Sequence, residues 1–286
     1  MTINLAIAER ARAGEVLTAA ELDELWTADV LSLGMLAEEV RRARFGDAVT
    51  YTRVYEIGAA GKTGDAGGAG VEVRLGHLPA TLDEAEGFIS GARIVAGPQL
   101  LTGFSLADIA ERNWGSLPDV LARLKRAGLD AVVEAQIDRK ADASVIAASF
   151  AAGLPVRCLS LQKPVDGKRT EWVMAVRAIV QAIPALQTVA PLPREQSIAV
   201  PTTGYDDVRS VALARLGLPM VKTIQVDWAQ YGPKLAQVAL TFGASDLDRV
   251  ATVGDETLGR RRTPVEDVRR NIEAAGFTPV ESAATA

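Results

Sequence analysis

Cysteine and histidine are almost missing from this chain: one of each, Cys158 and His77, in 286 residues. A single cysteine closes no internal disulfide. A Cys/His zinc site takes about four ligands, or three and an open position. An iron–sulfur cubane takes at least about three thiolates. Neither set can be assembled here, so no metal site and no cofactor of that kind is expected. Long hydrophobic runs are also missing. The apolar stretches are broken by charge or glycine, and none approaches the roughly 20 residues of a membrane span. The opening MTINLAIAERARAGEVL carries a charge every few residues and has no apolar core of the secretory type. Basic excess is absent too. The net charge is −5 and the pI about 5.2, which gives no general attraction to nucleic acid or anionic lipid. These absences lead to the expectation of a cytoplasmic protein with neither nucleic acid nor membrane as partner.

What is present suits a large core. Hydrophobic residues make up 48% of the sequence, and the length fits one barrel or two small domains. The first 47 residues read as helices. Thr18 and Glu21 have capping-box spacing, and a second helix is predicted from Thr27 to Arg44. Val49–Ile57 is the first strand, followed by a glycine-rich loop, Gly58–Gly70, and a strand from Val71 to Leu75. A helix is predicted over Leu82–Ser90 and a short strand over Arg93–Ala96. Helices follow at Ser105–Asn113 and Ser116–Ala127. Strands and helices then alternate: Ala131–Glu134, Asp142–Ala152, Pro155–Leu161, Arg169–Ala182, Leu186–Ala190, Tyr205–Leu216, Val221–Val226 and Tyr231–Phe242. The last helix is predicted over Thr263–Ala275, with Pro279–Val280 opening a last strand. Short strands alternating with longer helices imply a parallel sheet with crossover helices. Seven or so units fit a (β/α) barrel, full or partial, with an open doubly wound sheet as the alternative. The expected organisation is an N-terminal helical segment, 1–47, and a barrel domain, 48–286.

Several stretches carry a family resemblance. Tyr205-Asp206-Asp207 opens a helix through VALARLGLP. A strand then ends in Gln225-Val226-Asp227-Trp228, followed by Gly232-Pro233-Lys234-Leu235-Ala236-Gln237, Phe242-Gly243-Ala244 and Asp246-Leu247. The chain closes on Glu273 to Val280. This resembles the C-terminal half of the radical S-adenosylmethionine enzymes of the futalosine route to menaquinone, aminofutalosine synthase and cyclic dehypoxanthinyl futalosine synthase, with the FO synthase of deazaflavin synthesis as a sister group. Leu31–Arg42 with Phe45-Gly46-Asp47, and Phe104-Ser105 through Leu121 to Asp130, are similar to the helices around the family's barrel. The resemblance implies a radical-enzyme TIM-type barrel. It also implies a loop after the first strand bearing CxxxCxxC, whose thiolates hold a 4Fe–4S cluster that cleaves S-adenosylmethionine. Here Gly58–Gly70 takes that place without a cysteine, and Arg74-Leu75-Gly76-His77-Leu78 stands where a Gly-Gly cofactor signature is expected. The family's chemistry therefore does not transfer with the fold.

The remaining candidates follow from barrel logic, which puts sites at the C-terminal ends of strands. The mouth residues are then Tyr55 and Glu56, Arg74 and His77, Glu134 and Gln136, Ser160 and Gln162, Arg194 and Glu195, and Asp227 and Trp228. Glu56, Glu134, Asp227 and His77 are the candidate acid–base groups; each could equally be a solvated or structural side chain. Trp228, Gln225, Arg74, Lys62, Gln162 and Arg194 are the candidate ligand contacts, with Trp228 either stacking on a ligand ring or capping the core. Gly61-Lys62-Thr63 is not a Walker A loop, because Glu56 stands where its first glycine belongs. A looser anion nest with Lys62 and a plain flexible loop both remain open. Arg260-Arg261-Arg262 reads as a solvated basic run or a phosphate clamp, and Cys158 as a buried inert thiol. Three functions stay in view. The first is a cluster-less binding, scaffold or regulatory protein of menaquinone biosynthesis. The second is a non-radical enzyme using the barrel-mouth acids. The third is a protein that binds S-adenosylmethionine or futalosine without cleaving it. The expected partner is a small molecule or a cysteine-containing homologous enzyme, with a homo-oligomer left open.

Overall fold

The computed structural model describes residues 3–58, 70–139, 141–163, 170–195, 203–252 and 264–283. The chain runs α1 Leu5–Ala13, α2 Ala19–Thr27, α3 Val30–Phe45, β1 Ala48–Ile57, β2 Glu72–Leu75, α4 Leu82–Ala96, β3 Leu101–Ser105, α5 Leu106–Glu111, α6 Leu117–Ala127, β4 Ala131–Gln136 and α7 Ala143–Ala151. It continues β5 Val156–Leu161, α8 Glu171–Ala182, β6 Thr188–Pro193, α9 Gly204–Gly217, β7 Thr223–Asp227, α10 Trp228–Leu240, β8 Asp246–Ala251, α11 Pro264–Ala274 and β9 Thr278–Glu281. The strands form one sheet in the order β2-β3-β4-β5-β6-β7-β8-β1-β9, and β2 also pairs with β1. Eight strands therefore close into a barrel, and β9 joins β1 at its edge. Parallel register is set by partners such as Val54 with Glu72, Val73 with Leu101, and Val226 with Leu247. The expected barrel is the observed one.

Two elements correct the sequence reading. Arg93–Ala96 is no strand: these residues complete α4, which runs on to a glycine cap at Gly97. Ile94 and Val95 have strand character, but the Arg93 side chain holds the helix end. It donates to the Gly97 and Gln99 carbonyls at 3.0 Å each and to Asp130 at 2.6 Å. The strand starts five residues after Ala96, at β3. The second correction is β8, which was not expected because Asp246, Asp248 and Arg249 hide its apolar pattern. α3 also begins at Val30 rather than Thr27, since Asp29 caps it by accepting from the Ser32 amide at 2.9 Å. The capping box of Thr18 and Glu21 is formed as expected, and matching boxes start α4 at Thr81 and α9 at Thr203.

The chain resolves into two compact units. One combines residues 1–51, 160–248 and 268–280; the other combines 52–159, 249–267 and 281–286. In the first, α3 packs on α9 through Leu33, Leu36, Ala37 and Val40 on one side and Val211, Ala212 and Leu216 on the other, all buried. Gly34 leaves α3 room for Phe242, just after α10, because a Cβ there would stand 2.8 Å from its ring. Buried arginines tie the loops of this unit. Arg177 donates to the carbonyls of Leu17 at 2.9 Å and Gly217 at 2.7 Å. Arg215 donates to the Gly243 carbonyl at 2.9 Å and to Ser245 Oγ at 3.0 Å. Burial first, then repulsion by Arg41 and Arg44, pushes the Arg215 guanidinium down to about 9, so it stays charged at neutral pH. In the second unit, α4 packs against α6 and the strands β2, β3 and β4 carry the apolar layer Val73, Leu75, Leu101, Ala131 and Val132. Among the described residues no helix is long and apolar enough to cross a membrane.

Candidate functional site

The candidate residues fall into local constellations, one set in each unit. In the first unit, the ends of β6 and β7 place Arg194, Asp227 and the start of α10 together. Asp227 is 2% exposed. It serves as N-cap of α10 by accepting from the Gln230 amide at 2.9 Å, and Arg194 Nη1 stands 3.6 Å from its Oδ2. A buried aspartate is costly unless charge and hydrogen bonds hold it, and here both do. Trp228 is the first residue of α10, half-buried, rather than part of a strand end. Tyr231, one turn on, donates its hydroxyl to the Pro193 carbonyl. Burial, together with the charges of Asp207 and Asp227, holds this phenol well above the ordinary tyrosine range. Gly232 and Pro233 then kink α10, with Gly232 in the left-handed region at φ 72°. Gln162 turns to Glu195 at 2.5 Å, and Gln225 donates to Asp246 Oδ2 at 2.8 Å. Asp227 and Asp248 are direct partners across β7 and β8, and both are buried.

In the second unit, β1 and β2 carry charge, and β3 sets a threonine beside it. Glu72 is fully buried. Its Oε1 accepts from Arg74 Nε at 2.8 Å and from Thr102 Oγ1 at 2.6 Å, while Arg157 Nε lies 3.5 Å from Oε2. Sequence reasoning picked Arg74 but missed Glu72. The available signal was the i, i+2 spacing of the two in Val71-Glu72-Val73-Arg74, which puts them on one face of a strand. Glu56 is the Cα partner of Arg74 and pairs with Arg249 of β8 at 2.7 Å. Glu134 accepts from Gln136 at 3.1 Å, and Gln136 in turn accepts from Arg139 at 3.0 Å. Glu56 and Glu134 are thus engaged by different partners. His77 is exposed beyond the end of β2. Lys62 and Arg260 to Arg262 lie outside the described residues.

The donor chemistry does not fit an iron–sulfur cluster. Cys158 is buried in β5, with its thiol directed to the Leu159 carbonyl at 3.3 Å. The segment between β1 and β2 contains no cysteine. Among the described residues, no three His, Cys, Asp or Glu side chains are grouped to hold a metal ion.

The closed sheet and its covering helices define the class: a TIM-type (β/α) barrel. Among solved structures, methylornithine synthase matches over 96% of this chain and 97% of its own, with a TM-score of 0.67 at 14% identity. The FeFe-hydrogenase maturase of Carboxydothermus hydrogenoformans matches over 98% and 79%, with a TM-score of 0.66 at 14% identity. At such identity these show the fold. Sequence similarity adds to this. Residues 182–283 match the family model described as the CofH/MqnC C-terminal region. The 5-amino-6-(D-ribitylamino)uracil–L-tyrosine 4-hydroxyphenyl transferase of Archaeoglobus fulgidus is 27% identical over 190 residues, 61% of this chain and 55% of that protein. Its namesake in Methanopyrus kandleri is 28% identical over 200 residues, 58% of this chain and 54% of that protein. The chain is similar to these proteins over its C-terminal region and barrel, and it spans about half the length of the curated relatives it matches.

Proposed function

We propose that this chain is a cluster-free member of the family whose barrel binds a small polar molecule and performs no radical chemistry, acting as a binding, scaffold or regulatory protein. The observation that carries this reading is the cysteine count at the position that matters. The resemblance puts three thiolates after the first strand, and here the residues between β1 and β2 supply none. The polar ends of β6 and β7 support a ligand role, since Arg194, Asp227, Gln162 and the half-buried Trp228 offer charge, hydrogen bonds and a ring. The resemblance alone leads to futalosine and menaquinone. The names of the relatives lead instead to a ribitylaminouracil and tyrosine, so the pathway to test first is theirs. The experiment is a calorimetric titration of the purified chain with 5-amino-6-(D-ribitylamino)uracil, futalosine, aminofutalosine and S-adenosylmethionine, repeated with Trp228→Ala. Binding tighter than about millimolar that weakens roughly fivefold or more in the variant supports the reading, from a stacking contribution of about 1 kcal/mol. Absence of binding by all four, or equal binding by the variant, defeats it.

A second reading has its own observation. Asp227 and Asp248 are buried Cα partners on neighbouring strands, which places two carboxyl side chains on adjoining strand ends as candidates for acid–base work. It would make the chain a non-radical enzyme.

A further inference from the structure

α10 is built from two pieces. Gly232 has φ 72° and ψ 168°, outside the helical region and in one reserved almost wholly for glycine. A Cβ at this position would meet no atom within 4 Å among the described residues, so the backbone and not the packing calls for glycine. Pro233 follows, with no amide hydrogen and with a φ suited to the first position of a new helical piece. Residues 228–231 therefore form a turn of their own ahead of 233–240. One end of that turn hangs from β7, where Asp227 accepts from the Gln230 amide at 2.9 Å. Gly232 cuts the other end off from the helix body.

Side chains secure the turn instead. Gln230 Nε2 donates to the carbonyls of Pro193 and Arg194 at 3.0 Å each. Tyr231 donates its hydroxyl to the Pro193 carbonyl as well, which uses both lone pairs of that oxygen. These carbonyls stand at the end of β6, and the chain there is fixed from its other side too. The Arg194 amide donates to the Leu161 carbonyl at 2.9 Å, and the Glu195 amide to the Gln162 carbonyl at 2.8 Å. The turn that opens with Trp228 is thus latched to an anchored strand end rather than carried by the body of its own helix. We propose that Gln230 and Tyr231 are positioning residues of the ligand site, and that they act by holding Trp228 in place. The proposal rests on the binding function above and names what sets its ring.

The test labels the full chain with 5-fluorotryptophan and identifies the Trp228 signal with Trp228→Phe. Gln230→Met keeps the side-chain length and loses the donor, and Tyr231→Phe loses only the hydroxyl. Each is expected to shift the Trp228 fluorine signal beyond its line width, while the signals of Trp26, Trp114 and Trp172 stay in place. Gln230→Glu separates positioning from packing. Its ionised carboxylate cannot donate to a carbonyl, and its protonated form can. The Trp228 signal of this variant is expected to be displaced at pH 7. It should return toward the wild-type position as pH falls through the carboxyl's pKa, which two facing carbonyls keep at or above the ordinary value of about 4.3. A Trp228 signal unmoved in Gln230→Met and Tyr231→Phe, or independent of pH in Gln230→Glu, overturns the proposal. Movement of all the tryptophan signals together overturns it too, because the contacts would then support the whole fold rather than Trp228. The binding arm uses 5-amino-6-(D-ribitylamino)uracil as probe. Gln230→Met is expected to weaken it about fivefold in the wild-type background and not at all in Trp228→Ala, because the residue acts through the ring. An equal loss in both backgrounds overturns the proposal. No binding by the wild-type chain counts against the binding function above, and the fluorine signals still decide the latch.

Discussion

Glu72 gives the sharpest energetic test of the barrel interior. Replacing it with leucine removes the acceptor that Arg74 meets at 2.8 Å and Thr102 at 2.6 Å. Arg74 and Thr102 are themselves buried, so neither gains a water partner in exchange. Breaking a buried ion pair from one side costs about 3–5 kcal/mol, because the remaining charge is stranded. Exposed pairs, by contrast, are worth about 0–1 kcal/mol. The expected loss for Glu72→Leu is therefore about 4 kcal/mol, or a fall in Tm of roughly 10 °C for a protein of this size. Removing both charges, as Glu72→Leu with Arg74→Met, leaves no stranded guanidinium at position 74 and should return part of that loss. Chemical denaturation of wild type, both single variants and the double variant closes the cycle. A Glu72→Leu loss below about 1 kcal/mol, or a double variant no more stable than the worse single one, would refute the argument that Glu72 anchors a buried charge cluster.

Further outcomes are expected elsewhere. Thr18→Ala removes the cap of α2 and should cost about 1 kcal/mol in thermal or chemical melts. Gly243→Ala should cost more, on the order of 2 kcal/mol, because φ is 99° there and the new Cβ would stand 2.8 Å from Arg215 Cβ. Tyr231 gives a pH signature. Its folded phenol titrates above the ordinary value, so its contribution is complete below the unfolded pKa of about 10 and is lost as pH rises from there toward the folded value. Tyr231→Phe should flatten that alkaline decline, and ultraviolet titration should show one tyrosine ionising after the rest.

The barrel was legible because helices announced themselves by caps and apolar spacing, and central strands by short β-branched runs. Thr18 with Glu21, and Gly128 closing α6, are local signals that tertiary packing did not override. β3 and β8 were hidden for opposite reasons. Arg93-Ile94-Val95-Ala96 looks more like a strand than Leu101-Thr102-Gly103-Phe104-Ser105, yet Arg93 completes a helix end through contacts with residues up to 37 positions away. β8 carries three charged residues in six because part of a barrel strand faces a polar interior. For the same reason Glu72 did not stand out among the candidates. The pairing of Arg194 with Asp227 and of Glu56 with Arg249 spans 33 and 193 positions, beyond the reach of local pattern. The candidates at strand ends could be named from the sequence, but their partners could not.

On the proposed function, the chain keeps the barrel of the proteins it resembles and holds no iron–sulfur cluster. The direct measurement is anaerobic reconstitution of the purified chain with ferrous iron and sulfide, followed by desalting, iron analysis and the absorbance spectrum. With one buried cysteine and none between β1 and β2, the account predicts background iron and no sulfide-to-iron absorbance. About four irons per chain with the spectrum of a cubane cluster would contradict it.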